Sequence, residues 1–225
     1  MSLLDFNKKV GRSLQDEADI LSEADIDNFI LEALSYYSKD RPRVKVTDIS
    51  GDGGYEYDLP SGWDQGFSTV KRIEYPAGER IPVYLESTDW MIYTDTGGKK
   101  LRLLHHTPSG TEVIRVTYTC LYDDTEIDLI PAGDQDAFCS LAASLCCGSL
   151  ARYYSQTSAA GLEVEVVDYP GKAAEYAGRA KELLDIYNRH LGKGRERKSA
   201  ASVTDDWDTS FSWQGDFLSH PKKNR

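Results

Sequence analysis

The chain has 225 residues and a formal net charge of −11, from 37 acidic and 26 basic side chains. Proteins that grip nucleic acid phosphates carry an excess of positive charge, so this balance argues against sequence-specific DNA or RNA binding. The first ten residues, MSLLDFNKKV, lack the apolar run of a signal peptide, and no stretch predicts a membrane span.

Two helices are predicted at the start of the chain. The first covers residues 3–15 and is amphipathic. The second begins at Ser22, which forms a capping pair with Asp25 three residues later. It ends at Arg41-Pro42, because the residue before a proline resists the α conformation. Its apolar residues follow one helical stripe without a gap: Ile26, Phe29, Ile30, Ala33, Leu34 and Tyr37.

Residues 44–122 consist of short β-rich runs separated by turn residues, which predicts about seven strands in a small antiparallel sandwich or barrel. The runs are VKVTDI, YEYDLP, FSTVKRIEYP, RIPVYLE, WMIYT, KLRLLH and EVIRVTYTCLY. The sequence GDGG at 51–54 lacks the Lys-Ser/Thr of a phosphate-binding P-loop and the acidic ladder of a calcium loop. We therefore interpret it as a hairpin turn.

The most apolar stretch, AFCSLAASLCCGSLA at 137–151, contains no charged residue and carries small or apolar side chains at every helical position. This pattern predicts a central helix, buried on several faces and running to about residue 154. The stretch is shorter than the roughly 20 residues that cross a bilayer. Asp134 and Asp136 precede it and Arg152 follows it, the charge order that a helix dipole favours.

A linker at 155–161 and an unclassified run, LEVEVVDYP, separate the central helix from a final helix that begins near Lys172. Gly192 is its predicted C-terminal cap. The expected apolar stripe is Ala173, Tyr176, Ala177, Ala180, Leu183, Leu184, Tyr187 and Leu191.

Residues 193–225 differ in amino-acid composition from the rest of the chain. A basic run at 193–198 is typical of a solvated linker. The polar segment after it holds aromatic residues without a clear helical or strand period, and a lone tail cannot bury them well. We predict a peptide that orders as it docks onto a partner. The predicted partner-binding residues are Trp207, Phe211, Trp213 and Phe217.

No catalytic, cofactor or metal site is predicted. Adjacent His105 and His106 point to opposite faces of a strand, and neither His190 nor His220 lies at metal-ligand spacing. No serine has a nucleophile-elbow context. The cysteines are expected to be buried, free thiols: Cys120, Cys139, Cys146 and Cys147.

The aromatic residues of the β region leave an alternative open. They could form a carbohydrate- or receptor-binding face, although aromatic residues also favour strands as core and edge packing. The residues concerned are Tyr55, Tyr57, Trp63, Phe67, Tyr75, Tyr84, Trp90 and Tyr93.

Four segments in this order resemble the head–tail connector (adaptor, or head-completion) proteins of tailed bacteriophages. They are ALSYYSKDRP, YDLPSGWDQGFSTVKRIEYP, LIPAGDQDAFCSLAASLCC and AAEYAGRAKELLDIYNRHLG. The resemblance covers about residues 20–192. It lies mainly in the helix patterns and in the short motifs D-L-P and I-P, which mark the ends of elements. Many members of that family hold an inserted β domain within a small helical bundle.

The expected fold class is therefore α+β. A small helical bundle is built from both ends of the chain, residues 1–42 and 126–192. An antiparallel β-sandwich-like domain at 43–125 is inserted between them, and residues 193–225 form an extended docking arm.

The resemblance implies a structural, non-enzymatic virion protein in the neck between capsid and tail, made in the cytoplasm of the bacterial host. It implies a homo-oligomeric ring of about twelve copies beneath the portal, with a tail, collar or terminator protein below. Double-stranded DNA would pass through the channel without sequence-specific contacts, and no membrane or cofactor would take part. An acidic wall suits such a channel, because it repels phosphates and lets DNA slide.

Overall fold

The computed structural model describes residues 1–14, 20–157 and 169–193. Residues 1–194 belong to one compact unit with helices and two antiparallel sheets, which confirms the α+β fold class. The helices are α1 (Leu3–Leu14), α2 (Glu23–Asp40), a 3-10 helix (Asp124–Leu129), α3 (Gln135–Thr157) and α4 (Tyr169–His190). The strands are β1 (Arg43–Ser50), β2 (Glu56–Asp58), β3 (Val70–Glu74), β4 (Trp90–Asp95), β5 (Gly98–Leu103) and β6 (Val113–Cys120). Within these ranges, no helix combines the length and the apolar character that crossing a bilayer requires.

The start of α2 is fixed by its cap. The Ser22 hydroxyl accepts a hydrogen bond from the Asp25 backbone N–H at 3.2 Å, and the Asp25 carboxylate accepts one from the Ser22 N–H at 3.0 Å. This reciprocal pair satisfies two N–H groups that a bare helix end leaves without partners. The predicted capping pair is confirmed, and the stripe from Ile26 to Tyr37 faces the core.

Helix α3 is the centre of the helical part and packs against α1, α2 and α4. Its small side chains let these neighbours approach on several sides, as expected from the uncharged run. The Phe138 ring meets the Phe6 ring edge to face, with 5.1 Å between ring centroids. The buried residues of α3 include Ala137, Phe138, Cys139, Leu141, Ala142, Ala143, Cys146, Cys147 and Leu150.

Helix α4 lies along α3 with one narrow apolar stripe. Tyr187 is fully buried, and Tyr176, Ala180, Leu183 and Leu191 are partly buried against the same core. Ala177 and Leu184, which were predicted in the stripe, are exposed. The helix ends at His190, and Gly192 just beyond it is the C-terminal cap, as expected, with a φ of 71° in the left-handed region. The Lys193 N–H then donates to the Asn188 carbonyl at 2.8 Å, which is the Schellman arrangement.

The six strands form two three-stranded antiparallel sheets. The first sheet has the order β1-β6-β3, and the second has the order β2-β5-β4. Residues from both sheets share one hydrophobic cluster, to which β5 contributes Leu101 and Leu103 and β6 contributes Ile114 and Val116. In the sequence of β6, apolar residues at every second position predict one apolar face. The structure confirms this alternation, because Ile114, Val116, Tyr118 and Cys120 enter the shared core.

Two predictions for the β region are wrong. The run RIPVYLE is not a strand of the sheet: it forms only a single bridge, from Tyr84 to Glu74, because the partner strand β3 ends at Glu74. The GDGG sequence is not a hairpin turn, since it connects β1 of the first sheet to β2 of the second. Gly51 is required there by close approach: a Cβ atom would lie 2.2 Å from the Ser109 carbonyl oxygen.

The helical and β parts are joined by polar contacts at their boundary. The buried Ser38 hydroxyl donates to the Leu34 carbonyl at 2.7 Å and accepts from the Tyr122 N–H at 3.1 Å. Arg43 at the start of β1 forms an ion pair with Glu126 of the 3-10 helix. The division into an independent helical domain and an inserted β domain stays a prediction.

Candidate assembly surfaces and the polar junction

A buried carboxylate, Asp134, ties together the end of α2, the start of α3 and the end of α4. It is 4% exposed. The Tyr37 hydroxyl donates to its Oδ2 at 2.6 Å, and Arg41 Nη1 lies 2.9 Å from the same oxygen. His190 Nε2 lies 2.7 Å from Oδ1. The Asp134 carbonyl also accepts the first helical hydrogen bond of α3, from the Phe138 N–H at 2.8 Å.

The surroundings of Asp134 stabilise its ionised form. Burial raises the pKa of this carboxyl group, whereas the hydrogen bonds from His190 and Tyr37 and the charge of Arg41 lower it, and the net pKa lies below its ordinary value. The Tyr37 hydroxyl has a raised pKa, first because it is buried and second because it donates to Asp134. The ionised Asp134 carboxylate therefore accepts hydrogen bonds from three side chains, those of Tyr37, Arg41 and His190. This arrangement stabilises the fold and is not an acid–base pair.

A second anchor fixes the end of α4 against α2. The Tyr187 hydroxyl donates to Asp40 Oδ2 at 2.6 Å, and the Lys193 ammonium forms an ion pair with the same carboxylate. Lys193 is the last described residue. The chain therefore leaves the described structure beside Asp40, three residues before β1 begins at Arg43.

The sequence did not reveal this junction. Tyr37 was expected only as a member of an apolar stripe, and His190 only as an ordinary histidine. Asp134 stood out solely through its place before a helix. The three come from segments far apart in the chain, so no local spacing could connect them.

The predicted docking residues Trp207, Phe211, Trp213 and Phe217 lie outside the described residues, as does His220. Their role in partner binding stays a prediction.

All four cysteines are buried and free, as expected. Burial raises the pKa of Cys139 to about 11, of Cys146 to about 12 and of Cys147 to about 11. These three thiols are therefore protonated at neutral pH. In the part of the chain that the structure describes, no cluster of three His, Cys, Asp or Glu side chains could hold a metal ion.

The aromatic residues of the β region are divided between core and surface. Tyr57 is buried, and Trp63 and Trp90 pack against the shared core of the two sheets. On the outside of the second sheet, the Arg102 guanidinium lies 3.7 Å from the centroid of the Tyr93 ring. The eight aromatic residues therefore do not all lie on one surface, and a carbohydrate- or receptor-binding role stays a prediction.

The first sheet presents β1 as an open edge. Val44 and Val46 are 56% and 55% exposed and lie on the outer face, away from the shared core. The strand pairs with β6 along all eight of its residues. Among the described residues, no strand pairs with it on the other side.

The opposite edge of the same sheet is formed by residues 80–86. The Tyr75 N–H donates to the Val83 carbonyl at 3.0 Å, and the Leu85 N–H donates to the Ile73 carbonyl at 2.9 Å. These two bonds hold the segment beside β3. Ile81 is 78% exposed, and Val83 and Tyr84 are also exposed. The sheet therefore has two different apolar edges.

No protein-family model matches the chain, and no curated protein matches it. Among solved structures it is similar to a chain in the virion of a native gene transfer agent (GTA) particle, with 13% identity, a TM-score of 0.28, and coverage of 78% of this chain and 88% of that chain. It is also similar to a chain in the neck of an empty GTA particle computed with C6 symmetry, with 12% identity, a TM-score of 0.29 and coverage of 78% and 88%. A chain in the neck of a native GTA particle computed with C12 symmetry gives 14% identity, a TM-score of 0.25 and coverage of 78% and 91%. TM-scores this low do not establish a shared fold, and nothing about the function of this chain follows from them.

Proposed function

We propose that this chain is a structural virion protein, a head–tail connector subunit that forms a ring beneath the portal of a tailed bacteriophage. The ring continues the DNA channel and joins the capsid to the tail through protein contacts, without catalysis. The protein is made in the cytoplasm of the bacterial host and acts in the neck of the virion.

The observation that carries this proposal is the convergence at Asp134. Three of the four segments that resemble connector proteins each supply a residue to this junction: Tyr37 from ALSYYSKDRP, Asp134 from LIPAGDQDAFCSLAASLCC, and His190 from AAEYAGRAKELLDIYNRHLG. The three residues lie far apart in the chain and meet at one buried carboxylate. Their meeting supports a common structural unit, the helical bundle of a connector.

The net negative charge of the chain supports a role in which the protein surrounds DNA without binding it tightly. The net charge of −11 disfavours the release of counterions from phosphates that produces tight, salt-dependent binding. A channel wall needs this property, because the genome must move past it.

The C-terminal segment is proposed as the arm that docks on the portal. Trp207, Phe211, Trp213 and Phe217 supply its apolar contacts, and many copies in one ring bind one portal with avidity. The downstream face of the ring is proposed to meet the next tail, collar or terminator protein.

Truncation of the arm tests this proposal. Deleting residues 205–225 is expected to leave the melting temperature of the body unchanged and to abolish co-purification with the portal. Trp213→Ala is expected to weaken docking by roughly 2 kcal/mol, about 30-fold, because buried Trp residues dominate interface energies. Ser212→Ala is the matched control, since it removes only a hydroxyl group next to the same site. Portal binding and virion yield that are unchanged by the truncation would contradict the proposal.

A further inference from the structure

We propose that copies of this chain join head to tail by pairing the open edge of β1 with residues 80–86 of the next copy. The sheet β1-β6-β3 then continues from one subunit to its neighbour. This inference rests on the proposed ring and specifies its subunit interface.

The backbone of β1 is ready for a further strand. The Gly51 N–H donates to the Glu112 carbonyl at 2.9 Å, which extends the ladder between β1 and β6 by one pair. Because such pairs alternate along an antiparallel ladder, the N–H and C=O groups of residues 44, 46, 48 and 50 point away from β6. No described residue pairs with these groups. The strand also lacks proline and bulges, two of the devices that block an edge, and its charged residues leave Val44 and Val46 exposed between them.

The opposite edge has matching outward groups. The bonds from Tyr75 to Val83 and from Leu85 to Ile73 flank the Glu74–Tyr84 bridge. Tyr84 therefore directs its own N–H and C=O away from β3. Pro82 directs a carbonyl in the same direction but has no N–H, so these two residues offer three outward groups: the N–H and C=O of Tyr84 and the C=O of Pro82.

Strand direction favours pairing between the two different edges. β1, β6, β3 and residues 80–86 alternate in direction, because each pairs antiparallel with the one before. With four alternating members, residues 80–86 of one copy run antiparallel to β1 of the next copy in the same orientation. Identical copies therefore extend one antiparallel sheet, and a head-to-tail interface of two different surfaces is what a ring requires.

Charge complementarity selects the register. When Tyr84 lies opposite Val44, Pro82 lies opposite Val46 and Arg80 lies opposite Asp48. The Asp48 side chain is half exposed, although it already accepts bonds from Arg115 at 2.7 and 2.9 Å. Shifting the register by two residues places Pro82 opposite Asp48 and leaves Arg80 opposite Ser50, so the ion pair is lost.

The side chains of this register also share a face. Val44 and Val46 are on the outer face of the first sheet, together with Thr117 and Thr119 of β6. Tyr84 is on the same face, because it pairs with Glu74, which pairs with Arg115. The Arg72 guanidinium lies 5.0 Å from the Tyr84 ring centroid on that face. The apolar contacts and the ion pair between copies therefore fall on one surface.

Disulfide trapping tests the register. In this register Thr47 of one copy lies opposite Ile81 of the next. The two residues form a non-hydrogen-bonded pair, because their backbone groups point away from the interface. The Cα atoms of such a pair are about 4.5 Å apart. This separation permits a disulfide. Within one subunit the two positions are three strand spacings apart, about 14 Å, so a disulfide joins two copies only. The buried native cysteines do not compete.

The full-length Thr47→Cys/Ile81→Cys variant is assembled with the portal, oxidised mildly and run on a non-reducing gel. We expect a ladder of linked copies, and cross-linking of the two single-cysteine variants only when they are mixed. Val44→Cys/Ile81→Cys is the matched control, because its cysteines are out of register and on opposite faces, and it should give at least tenfold less product. Lys45→Cys/Val83→Cys is a second in-register pair in case the first variant misfolds.

The outcomes separate the two proposals. A ring that forms on the portal without cross-links in either in-register pair, or with equal cross-linking in the control, overturns the sheet-edge interface and leaves the connector role standing. If the wild-type chain forms no ring with the portal, the connector role fails and the interface fails with it.

Discussion

Replacing Asp134 by Asn tests whether the polar junction stabilises the fold. The change keeps the shape of the side chain but removes the negative charge. Hydrogen bonds to charged groups contribute about 1.5–3 kcal/mol each when buried, and the bond from Tyr37 is of this kind. The Arg41 and His190 side chains are 47% and 36% exposed, so solvent screens their share. We expect a loss of about 2–3 kcal/mol at pH 7.

Thermal unfolding followed by circular dichroism measures this loss. For a chain of this size, about 2–3 kcal/mol corresponds to a fall in melting temperature of roughly 5–10 °C. Asp136→Asn is the matched control: it makes the same change at the same helix start, but the Asp136 side chain is 86% exposed and pairs only with Lys9 at the surface. A melting temperature for Asp134→Asn equal to that of Asp136→Asn would refute the stabilising role of the junction.

Three further predictions follow from buried groups and close contacts. Because the folded pKa of Asp134 is lowered, its contribution is present above the ordinary value of 3.8 and is lost as the pH falls through the folded pKa. The stability difference between wild type and Asp134→Asn should therefore shrink below about pH 4 in acid unfolding titrations, and a constant difference would argue against an ionised Asp134. In thiol labelling at pH 8, native protein should react slowly and unfolded protein should expose all four cysteines, so rapid native labelling of Cys146 would be inconsistent with its burial. Gly51→Ala should lower the melting temperature by several degrees, because the added Cβ atom would clash with the Ser109 carbonyl oxygen. Gly97→Ala is the control, since Gly97 has open space around it, and it should leave the melting temperature unchanged. Equal melting temperatures for the two variants would show that the close approach at Gly51 does not matter for stability.

Local patterns in the sequence were enough to predict the elements that local chemistry determines. The Ser22–Asp25 capping pair, the proline after Arg41 and the uncharged run of α3 each specify a helix or its boundary, and all three predictions are confirmed. The alternation in β6 predicted its buried face for the same reason.

Features that depend on distant residues could not be predicted. Whether GDGG reverses the chain into the same sheet or leads to another depends on where β2 finds its partner, β5. The edge position of β1 likewise follows from strand order and not from its own residues, which carry valine on the exposed face. The junction at Asp134 needed the spatial meeting of α2, α3 and α4.

Electron cryomicroscopy of necks purified from phage particles that contain this chain tests the connector role. We expect a closed ring of this subunit directly beneath the portal, with density for residues 207–217 on the portal surface. The chain located elsewhere in the particle, or residues 207–217 packed against their own subunit with no portal contact, would contradict the connector role.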